Sequence, residues 1–80
     1  MRVISQNGKF DLPYENLAIF VEYENVIARF ENERYLLGQY SSEAKAIKAM
    51  EMLRKAWKFE TGIYHRNIIF QFPQDSEIEV

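Results

Sequence analysis

The chain has 80 residues, 48% hydrophobic, 15% aromatic and 28% charged, with three Gly, two Pro and no Cys. This length holds one compact domain, and the composition excludes a disordered tail, a collagen-like repeat or a linker. A formal net charge of −2 gives no global attraction to phosphate, and the lack of Cys removes disulfides and thiolate zinc sites as stabilisers. Aromatic bulk or a partner has to take their place.

Asn7-Gly8 lies between Val3-Ile4-Ser5 and Phe10-Asp11-Leu12, and this dipeptide suits the positive φ angles of a type I′ hairpin. The pattern predicts strand, tight turn, strand. Pro13 cannot donate a ladder hydrogen bond and should end the second strand, with Tyr14-Glu15-Asn16 as a connecting turn. Two β-rich runs follow, Leu17 to Tyr23 and Val26 to Phe30, joined through Glu24-Asn25. Alternation puts Leu17, Ile19, Val21 and Tyr23 on the core face of the first run and Ala18, Phe20 and Glu22 on the other. In the second run the same logic buries Val26, Ala28 and Phe30.

A strand from Arg34 to Tyr40 follows the turn Glu31-Asn32-Glu33, and adjacent Leu36 and Leu37 leave its buried face undecided. A helix is expected over residues 42–58, because Ala46, Met50, Leu53 and Trp57 recur on one stripe flanked by Ala49 and Ala56. Ser41 is the favoured N-cap, and Ala44 stands where a capping box would place Glu or Gln. Gly62 is a candidate chain reversal. Ile63 to Phe72 then reads as a last strand, with Ile68, Phe70 and Phe72 inward, stopped by Pro73. Residues 74–80 read as a flexible acidic tail after a single domain at 1–73.

Turns of two to four residues favour hairpins. The expected fold is therefore α+β: an antiparallel or mixed sheet of five to six short strands, with one amphipathic helix packed on one face. One helix covers one face. The other would carry Phe20, Ile27 and either Leu36 or Tyr35, more apolar than a solvated face needs.

Little in the chain resembles a catalytic constellation. His65 is the single histidine, and the glycines at 8, 38 and 62 are too far apart for a phosphate loop. Glu22 and Glu24, with Glu31 across the hairpin, could attract a divalent cation or a basic partner, but they read more simply as a solvated acidic face. We expect no enzyme activity, no cofactor, no metal and no small-molecule substrate.

Charge is nevertheless segregated. Residues 10–33 carry Asp11, Glu15, Glu22, Glu24, Glu31 and Glu33 against Arg29 alone, whereas Lys48, Arg54, Lys55 and Lys58 cluster on the helix. That basic face could meet nucleic acid, although Glu51 lies within pairing distance of Lys48 and Lys55 along the helix. Tyr64, Phe70 and Phe72 could form a base-stacking platform, but the helix stripe needs them as core. Trp57 and Phe59 suit either a core or an interface. The leading expectation is a protein-interaction domain using Phe20, Ile27, Trp57 and Phe59, with another protein or a second copy as partner. Nucleic-acid binding through the basic face is the alternative.

No apolar run is long enough for a signal peptide or a membrane span, which predicts a cytoplasmic protein with no membrane partner. Ser5-Gln6-Asn7, Asp11-Leu12-Pro13-Tyr14, Tyr40-Ser41-Ser42-Glu43, Lys45-Ala46, Lys48 to Arg54, Phe70-Gln71-Phe72-Pro73 and Glu77-Ile78-Glu79-Val80 together resemble a group of small uncharacterised proteins of Gram-positive bacteria, their phages and mobile elements. Relatives often carry an acid where Ala44 stands. The resemblance implies an intracellular accessory protein of phage or mobile-element origin and carries over no catalytic or ligand residue.

Overall fold

A computed structural model describes residues 1–63 and 69–80, the side chains of 59–63 excepted. It is α+β, with strands β1 (Arg2–Ile4), β2 (Asp11–Pro13), β3 (Ala18–Glu22), β4 (Asn25–Phe30), β5 (Glu33–Gln39) and β6 (Ile69–Gln71) and one helix, α1 (Glu43–Ile63). The strands form two sheets of three, ordered β2-β1-β6 and β3-β4-β5, rather than the single sheet of five to six strands expected. The break falls at Pro13. Proline cannot extend the ladder, and the 3-10 turn Tyr14–Asn16 redirects the chain before β3 begins. The first sheet is mixed, since β2 runs antiparallel to β1 and β6 runs parallel to it.

The β1–β2 hairpin forms through a wider loop than type I′. Ser5 and Phe10 close it, with Ser5 N–H donating to Phe10 O at 2.9 Å. Asn7 works through its side chain: Oδ1 accepts from Ser5 Oγ at 2.7 Å and from Lys9 N–H at 2.9 Å. Only Gly8, at φ +76, takes the left-handed conformation in this loop.

The β3–β4 turn lies one residue earlier than the sequence indicates. Glu22 opposes Asn25, so Tyr23 and Glu24 form the loop. Tyr23 therefore leaves the core face, adopts φ 56 and stands 77% exposed. Between β4 and β5 the loop is Glu31-Asn32, both left-handed, the type I′ pattern, and β5 starts at Glu33. Adjacent Leu36 and Leu37 are reconciled by a bulge opposite Val26 and Ile27. Leu36 faces outward while Leu37 is fully buried. Beside it Gly38 is required sterically, because a Cβ there would lie 2.8 Å from the Tyr40 ring.

Helix α1 is capped by Ser42 rather than Ser41, with Ser42 Oγ accepting from Lys45 N–H at 3.2 Å. Ser41 N–H is engaged elsewhere, donating to Asp75 Oδ1 at 2.7 Å. The helix passes the expected end at Lys58 and runs through Gly62, which is therefore no reversal. Its stripe packs on β3 and β4, burying Ala46, Ala49 and Leu53. Those residues share one core with Val3 and Leu12 of the first sheet, Val26, Ala28 and Leu37 of the second, and Tyr40, Phe72 and Ile78. Of the strand expected over 63–72, Ile63 is helical, Ile69 to Gln71 form β6, and Tyr64 and Ile68 lie outside the described residues.

The acidic tail does not hang free. Residues Asp75–Glu77 form a 3-10 turn closed by a reciprocal capping box between Gln74 and Glu77. Lys45 Nζ sits 3.2 Å from Asp75 Oδ2, and Ile78 is 4% exposed. An apolar anchor and paired carboxylates hold a segment whose composition alone indicates disorder.

Candidate functional site

The two halves of the expected interaction surface lie on different faces. Phe20 and Ile27 oppose each other across β3 and β4, and Leu36 continues their row on β5. This outer face is partly self-covered. Ile27 is buried, and the Arg34 guanidinium lies 5.6 Å from the Phe20 ring centroid while reaching Glu22 at 2.8 Å. A cation held over a ring by a carboxylate shields apolar surface that would otherwise be open. Tyr35, the other candidate for this face, points inward and meets Phe10 edge-on at 5.0 Å.

Trp57 belongs to the inner side. It stacks obliquely on Tyr14, with centroids 4.9 Å apart at 38°. Together they wall a cleft of about 520 Å³ whose apolar lining is Leu17, Ile19, Met50 and Leu53. The geometry follows from the sequence. Pro13 and the 3-10 turn swing Tyr14 towards the helix, odd-numbered β3 residues face the same way, and helical periodicity brings Met50, Leu53 and Trp57 to one side. Phe59, the remaining predicted contact, has its side chain outside the described residues.

Two charged groups complete the cleft, Glu15 and Arg54, both exposed. The Glu15 carboxyl is held below the usual range, first by a bond from its own backbone amide and then by the Met1 ammonium 3.0 Å away. Arg54 also borders a second concavity of about 210 Å³, formed with Glu51, Lys55 and Lys58. The basic face is thus partly assembled. Arg54, Lys55 and Lys58 share one hollow, whereas Lys48 is 3.9 Å from Glu51.

Tyr14, Leu17 and Met50 were not singled out as site residues from sequence. Their signal was present, since Tyr14 follows the chain-breaking Pro13 and Met50 lies one helical turn before Leu53 and Arg54, but joining them requires the tertiary path. The acids Glu22 and Glu31 do not converge on a metal site: Glu22 pairs with Arg34, and Glu31 occupies the β4–β5 turn. Among the described residues no three His, Cys, Asp or Glu side chains group as metal ligands would. His65 lies outside those residues. Among them, too, no helix is long and apolar enough to cross a membrane. No protein-family model matches the chain, and no curated protein or solved structure matches it significantly.

Proposed function

We propose that the chain is a non-catalytic protein-interaction module whose docking site is the cleft between Tyr14, β3 and α1. One observation carries this reading: an aromatic pair, Tyr14 and Trp57, stands beside an aliphatic floor in a cleft large enough for one or two apolar side chains. Pockets of mostly apolar lining with a few charged groups at their border are the usual form of a binding site. Aromatic anchors of this kind dominate interface energetics. The outer face contributes less, because Arg34 already covers Phe20.

Site-specific photocrosslinking tests the proposal. A benzophenone side chain is placed at Met50, inside the cleft, and separately at Leu36, which is 42% exposed on the outer face. Incubated in extract of the native host, the first should yield a discrete protein adduct and the second none. An adduct at Leu36 alone would relocate the docking surface and end this reading.

The alternative is nucleic-acid binding through Arg54, Lys55 and Lys58, favoured by their common concavity. It is weaker for two reasons. Glu51 lines the same hollow, and a net charge of −2 opposes approach to phosphate. A salt titration with mixed DNA and RNA decides it, absence of binding at low salt removing the alternative.

A further inference from the structure

The cleft has a border that its lining side chains do not reveal. β3 is an edge strand, and the cleft lies on its edge side near its start, since Ile19 and the preceding Leu17 contribute to the lining and no β4 residue does. The loop Tyr23-Glu24 makes Glu22 and Asn25 the closing pair of the hairpin. In an antiparallel ladder, alternate opposed pairs exchange both N–H···O bonds. Ala18, Phe20 and Glu22 therefore turn their backbone groups towards β4, and those of Ile19 and Val21 point to the open side. The next hairpin agrees. Phe30 and Glu33 close it, so the β4 residues directed at β5 are Phe30 and Ala28, the set complementary to those directed at β3.

The remaining edges are short or occupied. β2 and β6 have three residues each, and β2 ends in Pro13, which has no N–H. The C-terminal half of β5's outer side is taken by Gln6, whose N–H donates to Leu37 O and whose side-chain amide exchanges bonds with the Gln39 backbone, and Phe10 stands against Tyr35 nearer its start. Among the described residues β3 is left as a five-residue edge with a groove beside it. Exposed edges are normally blunted by charge, Pro or cover, so an open one next to a pocket is a place for strand addition.

Charge indicates what would add. Of the two charged groups at the cleft, Glu15 is already paired with the Met1 ammonium at 3.0 Å, which leaves Arg54, standing between the cleft and the hollow that Lys55 and Lys58 line with Glu51. We infer that the cleft receives an extended peptide segment that joins β3 as a further strand, with apolar side chains against Met50, Leu53 and Trp57 and an acidic side chain, two residues along on the same face, against Arg54. This inference rests on the docking cleft proposed above and names its occupant. The spacing follows from the strand: residues two apart share a face, so the cleft samples every second side chain. The aliphatic floor favours a peptide over nucleic acid, which would call for stacking along successive aromatic platforms.

The probe is the end-blocked peptide Thr-Glu-Thr-Leu-Thr-Leu-Thr-Glu-Thr, which presents Leu and Glu on one face in either strand direction. Trp57, the only tryptophan, reports occupancy by fluorescence. The expected result is saturable binding, slowed hydrogen exchange at the Ile19 and Val21 amides, and an affinity at least about tenfold lower for Arg54→Glu or for a peptide with Lys in place of Glu. N-methylation of the peptide at its Leu positions or at its Thr positions, one set only, should abolish binding, because one parity of amides faces β3. If Trp57 responds but both methylated peptides bind like the parent, strand addition is overturned and the docking cleft stands. If no peptide binds while the Met50 crosslink still captures a partner, the occupant is wrong and the cleft again stands. Two other results also overturn the inference: displacement of the peptide from Trp57 by an oligothymidylate, or a dimer in sedimentation whose Ile19 and Val21 amides are protected before peptide is added.

Discussion

Gln6 accepts and donates across both sheets. Its N–H reaches Leu37 O, its Nε2 donates to Gln39 O at 3.2 Å and Pro73 O at 3.1 Å, and its Oε1 accepts from Gln39 N–H at 3.0 Å. Its own carbonyl accepts from Gln74 Nε2. Nothing in the local sequence marks it, because every one of these partners is more than thirty positions away in the chain. Gln6→Ala should lower stability by about 1–3 kcal/mol, since it removes bonds and strands their partners. Urea denaturation measures this, and an unchanged midpoint would show that water replaces the side chain. Tyr40 is a second such residue. Its hydroxyl donates to Pro73 O at 2.9 Å, and burial, reinforced by the Asp75 and Glu77 charges, pushes its pKa up. A folded-state pKa above the unfolded one stabilises fully below the ordinary tyrosine value of about 10 and is lost as pH rises through the folded value. Tyr40→Phe should therefore cost about 1 kcal/mol at neutral pH and weaken the fall in stability above about pH 10. Urea midpoints at neutral and alkaline pH read both effects.

The elements were legible in proportion to how local their signals are. The helix stripe from Ala46 to Trp57 and the odd-numbered face of β3 follow from periodicity, and the structure places them accordingly. Turns slipped by one residue at Tyr23, because a bulky aromatic in the left-handed region runs against propensity, while the closing pair Glu22 and Asn25 is set by register with β4. The make-up of the first sheet and the docked terminal segment were not legible, since both depend on distant pairings: β1 with β6, and Asp75 with Ser41 and Lys45. The cleft was half legible, with Trp57 marked by sequence and Tyr14 supplied by the fold. For the terminal turn, Asp75 makes a pH prediction. The Ser41 backbone N–H, foremost, and the Lys45 ammonium hold its carboxyl below the usual range. The lowered folded pKa stabilises above the ordinary carboxylate value and is lost as pH falls through the folded one. Asp75→Asn should lower the urea midpoint at neutral pH and flatten its decline in acid. An acid limb identical to that of the parent would mean that the Asp75 carboxylate does not hold the turn.

One core joins every layer, and this sets how the whole molecule should unfold. Val3 and Leu12, Val26 and Leu37, Ala46 and Leu53, and Ile78 belong to a single buried cluster, so each layer is covered by side chains of the others. A chain of 80 residues buries only roughly 60–65% of its unfolded surface, which leaves little margin for any layer to stand alone. Loss of one contact should therefore be felt everywhere. Ile78→Ala, at a position 4% exposed near the end of the chain, tests this more sharply than a change in the centre of the core. Removal of the buried side chain should cost about 2–4 kcal/mol. Helix content followed by far-ultraviolet circular dichroism and Trp57 fluorescence should fall together, at the same shifted urea concentration. Separate transitions, with the terminal segment released while the helix and Trp57 keep their midpoint, would show that residues 74–80 form an independent clasp.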